Sequence, residues 1–220
     1  MYLRVSAVAA ACGVLLLSGC GGGELDEPRQ SFTTHILSDP AYDGDIEQVS
    51  ANSFTVTQGM TPSVQSVLAG IDPAAGTEFR AFLDFPLGGP NGVPGNAVID
   101  SAFLEIYIDD LEPIDGRLPV RVDLVAFQPP TLFGTDFSRS AQPALASITI
   151  SPDITRRDVG TSVPIDVTPL MREAQRRGLA DFQVRIMEDL GPAIPVLMVI
   201  DDSTGANRSS LAPLLTVTYF

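Results

Sequence analysis

Ala102-Phe103-Leu104-Glu105-Ile106-Tyr107-Ile108 puts an apolar side chain at every even position. Successive side chains of a strand point to opposite faces, so this is the period of a half-buried strand. The same alternation stands on either side: Phe79, Ala81, Leu83 and Phe85 before it, Val120, Val122, Leu124 and Ala126 after it. Further apolar runs at 54–57, 63–71, 147–150, 163–167, 182–186, 196–200 and 214–220 are separated by Gly, Pro, Asn and Asp. About ten short strands with turn chemistry between them predict an all-β, antiparallel sandwich or barrel. The long stretch Gly88-Gly89-Pro90-Asn91-Gly92-Val93-Pro94-Gly95 lacks a lysine and precedes a strand, so it reads as a hairpin connection, not a phosphate loop.

One helix interrupts the strands. Thr168 is placed to cap it, Pro169 suits its first turn, and Gly178 can close it in the left-handed region. Arg176 and Arg177 complement its C-terminal dipole, and Leu170 with Ala174 forms a small apolar stripe. The expected role is to plug one end of the sandwich.

Four segments in order, Arg80-Ala81-Phe82-Leu83-Asp84-Phe85, Ile99-Asp100-Ser101-Ala102-Phe103-Leu104-Glu105-Ile106-Tyr107, Val163-Pro164-Ile165-Asp166-Val167-Thr168 and Ala212-Pro213-Leu214-Leu215-Thr216-Val217, resemble the DNRLRE-type domain. Such domains are jelly-roll modules similar to carbohydrate-binding modules of bacterial surface and secreted proteins. The resemblance covers roughly 32–220 and implies a jelly-roll-like sandwich, with glycan binding as the expected activity. In this reading Arg80 and Asp84 stand on the outer face of their strand.

The N-terminus predicts the location. Met1-Tyr2-Leu3-Arg4 carries one positive charge, and an apolar run follows from Val5 to Leu17. Spanning a bilayer takes roughly 20 apolar residues, so the run reads as an export signal. Leu17-Ser18-Gly19-Cys20 then resembles the lipobox of bacterial lipoproteins. It predicts a signal peptide over 1–19, acylation of Cys20 with palmitate-type chains, a flexible tether over 20–31 and a folded domain over 32–220. Two or more acyl chains give stable anchoring, so the first expected partner is a membrane of the bacterial envelope. Gly21, not Asp, follows the cysteine, which in the sorting of bacterial lipoproteins favours the outer membrane.

Cysteine and charge narrow the function. Only Cys12 and Cys20 exist, so a domain over 32–220 has no thiol chemistry. All 13 basic residues are arginines; without Arg4, 12 of them face 27 acidic residues, about −15. That charge repels phosphate backbones, and no nucleic-acid partner is expected.

The residues predict a protein that is not an enzyme. His35 is the one histidine, a serine triad would need it with Asp39 or another carboxylate as orienter, and no Gly-x-Ser-x-Gly accompanies it. Asp109-Asp110, Glu188-Asp189 and Asp201-Asp202 are adjacent acids, which a strand points to opposite faces, away from the converging geometry of a glycosidase. Asp39, Asp43 and Asp45 cluster in one turn-forming segment and are candidate ligands for a structural calcium, an ion that takes clustered oxygens. The competing reading of the segment is an ordinary Asp-Gly turn.

Sugars stack on aromatic faces while polar side chains take their hydroxyls. Tyr107 and Phe133 are the candidate ligand contacts, the latter in an aromatic-dense loop spanning 127–137. Two functions stay open: a lipid-tethered glycan- or polysaccharide-binding module, and a structural or protein-interaction envelope lipoprotein with no glycan ligand.

Overall fold

The computed structural model describes residues 30–127, 131–189 and 195–220. The predicted signal peptide, Cys20 and nearly all of the tether lie outside the described residues.

Among the described residues, fourteen strands run in the order β1 Phe32–Leu37, β2 Gly44–Ser50, β3 Ser53–Gln58, β4 Ser66–Ile71, β5 Glu78–Pro86, β6 Ile99–Glu112, β7 Arg117–Leu118, β8 Val120–Val125, β9 Ala146–Thr149, β10 Ile154–Thr155, β11 Thr161–Asp166, β12 Asp181–Glu188, β13 Leu197–Asp201 and β14 Leu214–Tyr219. Helix α1, Thr168–Arg177, lies between β11 and β12, and α2, Arg208–Leu211, between β13 and β14. Every pairing is antiparallel. Twelve strands form one curled sheet with the path β1-β14-β6-β13-β4-β5-β12-β8-β9; β11 joins β6, β2 joins β5 and β3, and β7 pairs with β10 apart from it. The result is an all-β sandwich.

The 14-residue β6 carries the curl. Its first half pairs with β14, its middle with β11 and its last residues with β13. The register shifts where Val199 opposes Asp110 and Ile200 opposes Ile108. One extra residue there breaks the alternation, a β-bulge, and leaves Asp109 and Asp110 both exposed, not on opposite faces.

Two cores result. Ala81, Leu83, Phe85, Leu104, Ile106, Ile108, Val122, Leu124, Val184 and Ile186 belong to the main one. On the other face of β5 and β8, Phe82 and Val125 pack with Ile46, Phe127, Leu132 and Phe137. The face expected to be outer is therefore covered: Asp84 is buried and Arg80 half-buried. β5, β8 and β12 are buried on both sides, as central strands of a layered structure are.

Helix α1 closes in the left-handed region at Gly178, φ 65°, and buries Leu170, Met171 and Ala174. Thr168 does not cap it but stands inside its first turn. The Asp166 carboxylate accepts the Thr168 N–H at 2.9 Å, while the buried Thr168 hydroxyl accepts the Ala102 N–H at 2.9 Å and so ties the helix to β6. A second helix, α2, joins the single one expected; it is one turn long and buries none of its residues, so no apolar period announces it.

Candidate functional site

The acidic segment runs from the β1–β2 connection into the start of β2, and its three aspartates go separate ways. Asp39 folds back to accept the Ala41 N–H at 3.0 Å, the turn chemistry of its residue type. Asp43 accepts the Asp84 N–H at 2.7 Å and Asp45 the Leu68 N–H at 3.3 Å. Gly44 between them meets β3 so closely that a Cβ would lie 2.2 Å from the Thr57 carbonyl oxygen. Close backbone approach, more than turn formation, requires a glycine here.

Asp43 faces another carboxylate, Asp202, and neither is accessible to solvent. The Ser38 hydroxyl donates to Asp202 Oδ1 at 3.4 Å, and Arg208 Nη1 lies 3.7 Å from the same oxygen. Burial and the charge of Asp202 together push the Asp43 carboxyl well above its ordinary range. Burial likewise raises Asp45 to about 7 and Asp84 to about 6. The structure does not gather the predicted calcium ligands Asp39, Asp43 and Asp45. Among the described residues no group of three or more His, Cys, Asp or Glu side chains is placed to hold a metal ion. Two carboxylates beside a guanidinium are also a poor match to the oxygen-only shell that calcium takes.

The aromatic loop divides by burial. Phe127, Leu132 and Phe137 fill the second core, whereas Phe133 is 58% exposed. Its backbone N–H donates to Asp136 Oδ2 at 2.8 Å, and the Leu132 N–H donates to Gln58 Oε1 at 2.8 Å. A 3-10 turn at Gly134–Phe137 follows, with Gly134 pressed against the Phe54 ring. The Arg80 guanidinium lies 3.9 Å from the Phe137 ring centroid, donates to the Phe137 carbonyl and pairs with Glu78 at 2.7 Å.

An ion pair underneath fixes this loop to the sheet. Arg185 Nη2 donates to Asp123 Oδ2 at 2.8 Å and Arg185 Nη1 to the Asp136 carbonyl at 2.8 Å. Asp123 also accepts from Ser147 at 2.6 Å and Arg121 at 3.0 Å, and Arg139 lies 3.4 Å away. Burial alone would raise the Asp123 carboxyl; hydrogen bonds from Ser147, Arg185 and Arg121 outweigh it and hold the group below its ordinary value.

Between this loop and the β2–β3 hairpin opens a cleft of about 380 Å³, lined by Gln48, Phe54, Arg80, Phe137, Arg139 and the hydroxyls of Ser138 and Ser140. Aromatic wall, guanidinium, amide and hydroxyl groups meet there from β2, β3, β5 and the loop. Phe54, Arg80 and Arg139 were not singled out by sequence, because only the tertiary fold brings them together. Tyr107 is elsewhere, half-buried on β6 opposite Ser162 of β11 and not in this cleft. His35 is exposed on β1, its Nδ1 3.0 Å from Thr216 Oγ1, and no carboxylate among the described residues orients it.

Compared with known proteins, the chain matches no family model and no curated protein.

Proposed function

We propose that the chain is a non-catalytic lipoprotein of the bacterial envelope, anchored through acylated Cys20, whose sandwich binds a glycan or polysaccharide. The cleft between the β2–β3 hairpin and the loop that carries Phe133 supports the reading. Its volume falls within the range of small-ligand clefts, roughly 300–1,000 Å³, and it combines the partly exposed Phe54 with the polar groups of Arg80, Arg139, Gln48, Ser138 and Ser140. Sugars take this mixture of flat apolar surface and hydroxyl-directed polar groups. The lipobox-like Leu17-Ser18-Gly19-Cys20 supports the anchor.

A glycan array probed with the full chain in detergent tests it. Retention of a glycan is expected, with loss of about tenfold or more on Phe133→Ala, as for an exposed aromatic contact removed without disturbing the core. Retention that survives Phe133→Ala and disappears with Tyr107→Ala would move the ligand to the β6 face; no retained glycan would reject glycan binding.

A second reading, an envelope protein that contacts another protein, draws on an apolar edge. Phe32 is 48% exposed and stacks on Tyr219 with ring centroids 5.9 Å apart. Val98, 57% exposed, exchanges backbone hydrogen bonds with Phe220, 39% exposed. Phe32 stands at the start of edge strand β1, next to the expected tether, while Tyr219, Val98 and Phe220 lie at the ends of the neighbouring β14 and β6. Cross-linking from position 32 to an envelope protein, with no glycan retained, would favour it.

A further inference from the structure

We propose that the edge of the sandwich built by the start of β1, the end of β14 and the 88–98 connection is a lipid-docking face, which lies on the bilayer holding the Cys20 anchor and lowers Phe32, Val98 and Tyr219 to the boundary between headgroups and acyl chains. The inference rests on the reading of Cys20 as the anchor.

The distribution of charge marks this edge. The chain carries 27 acidic residues, yet the stretches 30–38, 85–99 and 209–220 contain no Asp, Glu or Arg. The fold brings all three together. Phe32 stands opposite Tyr219, and Tyr219 opposite Ile99. Val98 and Phe220 exchange backbone hydrogen bonds at 3.1 Å, and the Thr34 hydroxyl donates to the Asn91 carbonyl at 2.6 Å. Phe32, Val98 and Phe220 are exposed, and the Tyr219 ring stacks on Phe32. Taking such an edge out of water removes apolar surface without stripping a side-chain carboxylate of its hydration.

Helix α1 supplies the polar border that a headgroup needs. A cleft of about 280 Å³ beside Val98 is lined by Ala97, Ile99, Arg172, Gln175 and Arg176. Arg172 is fixed there by its Nε on the Ile99 carbonyl at 3.1 Å and its Nη2 on the Asp100 carbonyl at 2.8 Å, which leaves Nη1 to meet a phosphate. Glu173, the one acid of the helix, is already paired with Arg176 at 2.7 Å and Arg177 at 2.6 Å. Guanidinium groups beside aliphatic side chains suit the level at which phosphates overlie acyl chains. Edge strand β1 limits the depth, because its unpaired backbone groups need water. The face therefore rests at the interface and does not enter the hydrocarbon.

Position decides between a bilayer and a protein as the occupant. Phe32 follows Cys20 by twelve residues, which reach at most roughly 40 Å. The chain enters the sandwich at this edge, so an anchor at Cys20 keeps the uncharged edge nearest the lipid and turns the acidic remainder of the surface toward water. A protein contact at the same edge is the competing outcome.

The chain has no tryptophan, so single substitutions report on depth: Phe32→Trp, Val98→Trp and, as the exposed control beyond the far end of β6, Ile114→Trp. The full chain, recovered with its acyl chains, is placed in vesicles of phosphatidylethanolamine and phosphatidylcholine brominated along the acyl chains. Positions 32 and 98 are expected to lose most of their emission, since interfacial side chains reach about 5–10 Å into the boundary where bromine lies. Position 114 is expected to keep its emission. In a Tyr219→Trp reporter, Phe32→Glu with Val98→Glu is expected to abolish the quenching and leave the melting temperature unchanged, because both side chains are exposed. Should mass analysis find Cys20 unmodified, the anchor reading fails, and the same reporters in the chain coupled through its cysteine to a maleimide lipid decide the docking by themselves. Emission at 32 and 98 unaffected by bromine, equal quenching at all three positions, quenching that survives the double variant, or cross-linking of position 32 to an envelope protein in whole membranes would each overturn the proposal.

Discussion

Arg185 and Asp123 meet at 2.8 Å as an ion pair of which neither side chain reaches solvent. The pair joins β12 to β8 beneath the loop that presents Phe133, and the second Arg185 amino group holds the Asp136 carbonyl of that loop. Shape at the cleft thus depends on two charges in the interior.

Removing one partner leaves the other charge buried and uncompensated. Arg185→Ala is expected to destabilise the domain by about 3–5 kcal/mol. Urea denaturation of the purified variant measures it; a loss below about 1 kcal/mol, the scale of a surface pair, would contradict the assignment.

Asp123 also sets a pH dependence. Its carboxyl is held below the ordinary value of 3.8 in the folded chain, so the folded state binds its proton less readily than the unfolded one. The stability it adds is present above that value and is lost as pH falls through the folded one. Asp123→Asn is expected to lower stability at pH 7 and to flatten the acid limb of a melting-temperature profile. A variant with an acid limb as steep as the parent's would assign that slope to other carboxylates.

Gly44→Ala tests the close approach of β2 to β3. A Cβ 2.2 Å from the Thr57 carbonyl oxygen forces the hairpin apart, with an expected loss of about 1–3 kcal/mol. Because β2 and β3 form a wall of the Phe54 cleft, glycan retention should fall with it. Thermal unfolding of the variant checks the first effect; an unchanged melting temperature would show that the strands approach less closely.

Calcium offers a separate check. Asp39, Asp43 and Asp45 accept hydrogen bonds from three different backbone amides. Adding calcium to chelator-treated protein is therefore expected to leave its melting temperature unchanged, whereas ligand binding to the folded state alone would raise it. A clear rise would mean that these acids regroup around the ion.

Period-2 alternation made the central strands legible, because Leu104, Ile106 and Ile108 point into one core while their neighbours do not. The helix was legible from Pro169 and Gly178. β1 and β2 were not: Thr33, Thr34 and His35 in one, and Asp45, Glu47 and Gln48 in the other, dilute the apolar pattern. Alternation also assigns faces without saying whether a face stays open. Arg185 and Asp84 fall on the side of β12 and β5 opposite the main core, and only the folded loop and hairpin show that this side is covered too. For the site, aromatic density pointed to the loop of Phe133. Phe54 and Arg139 come from sequence neighbourhoods that mark no site, and Arg80 stands out in sequence only as an outer-face strand residue, so their convergence is a property of the fold.

The proposed function rests on attachment through Cys20, which would make this β-sandwich a resident of the envelope. Intact-mass measurement of the full chain recovered from bacterial membranes addresses it most directly. Cleavage before residue 20 with the added mass of acyl chains on Cys20 is the expected result, and Cys20→Ser should release the protein from the membrane fraction. A free thiol at Cys20, or a serine variant that still sediments with membranes, would contradict it.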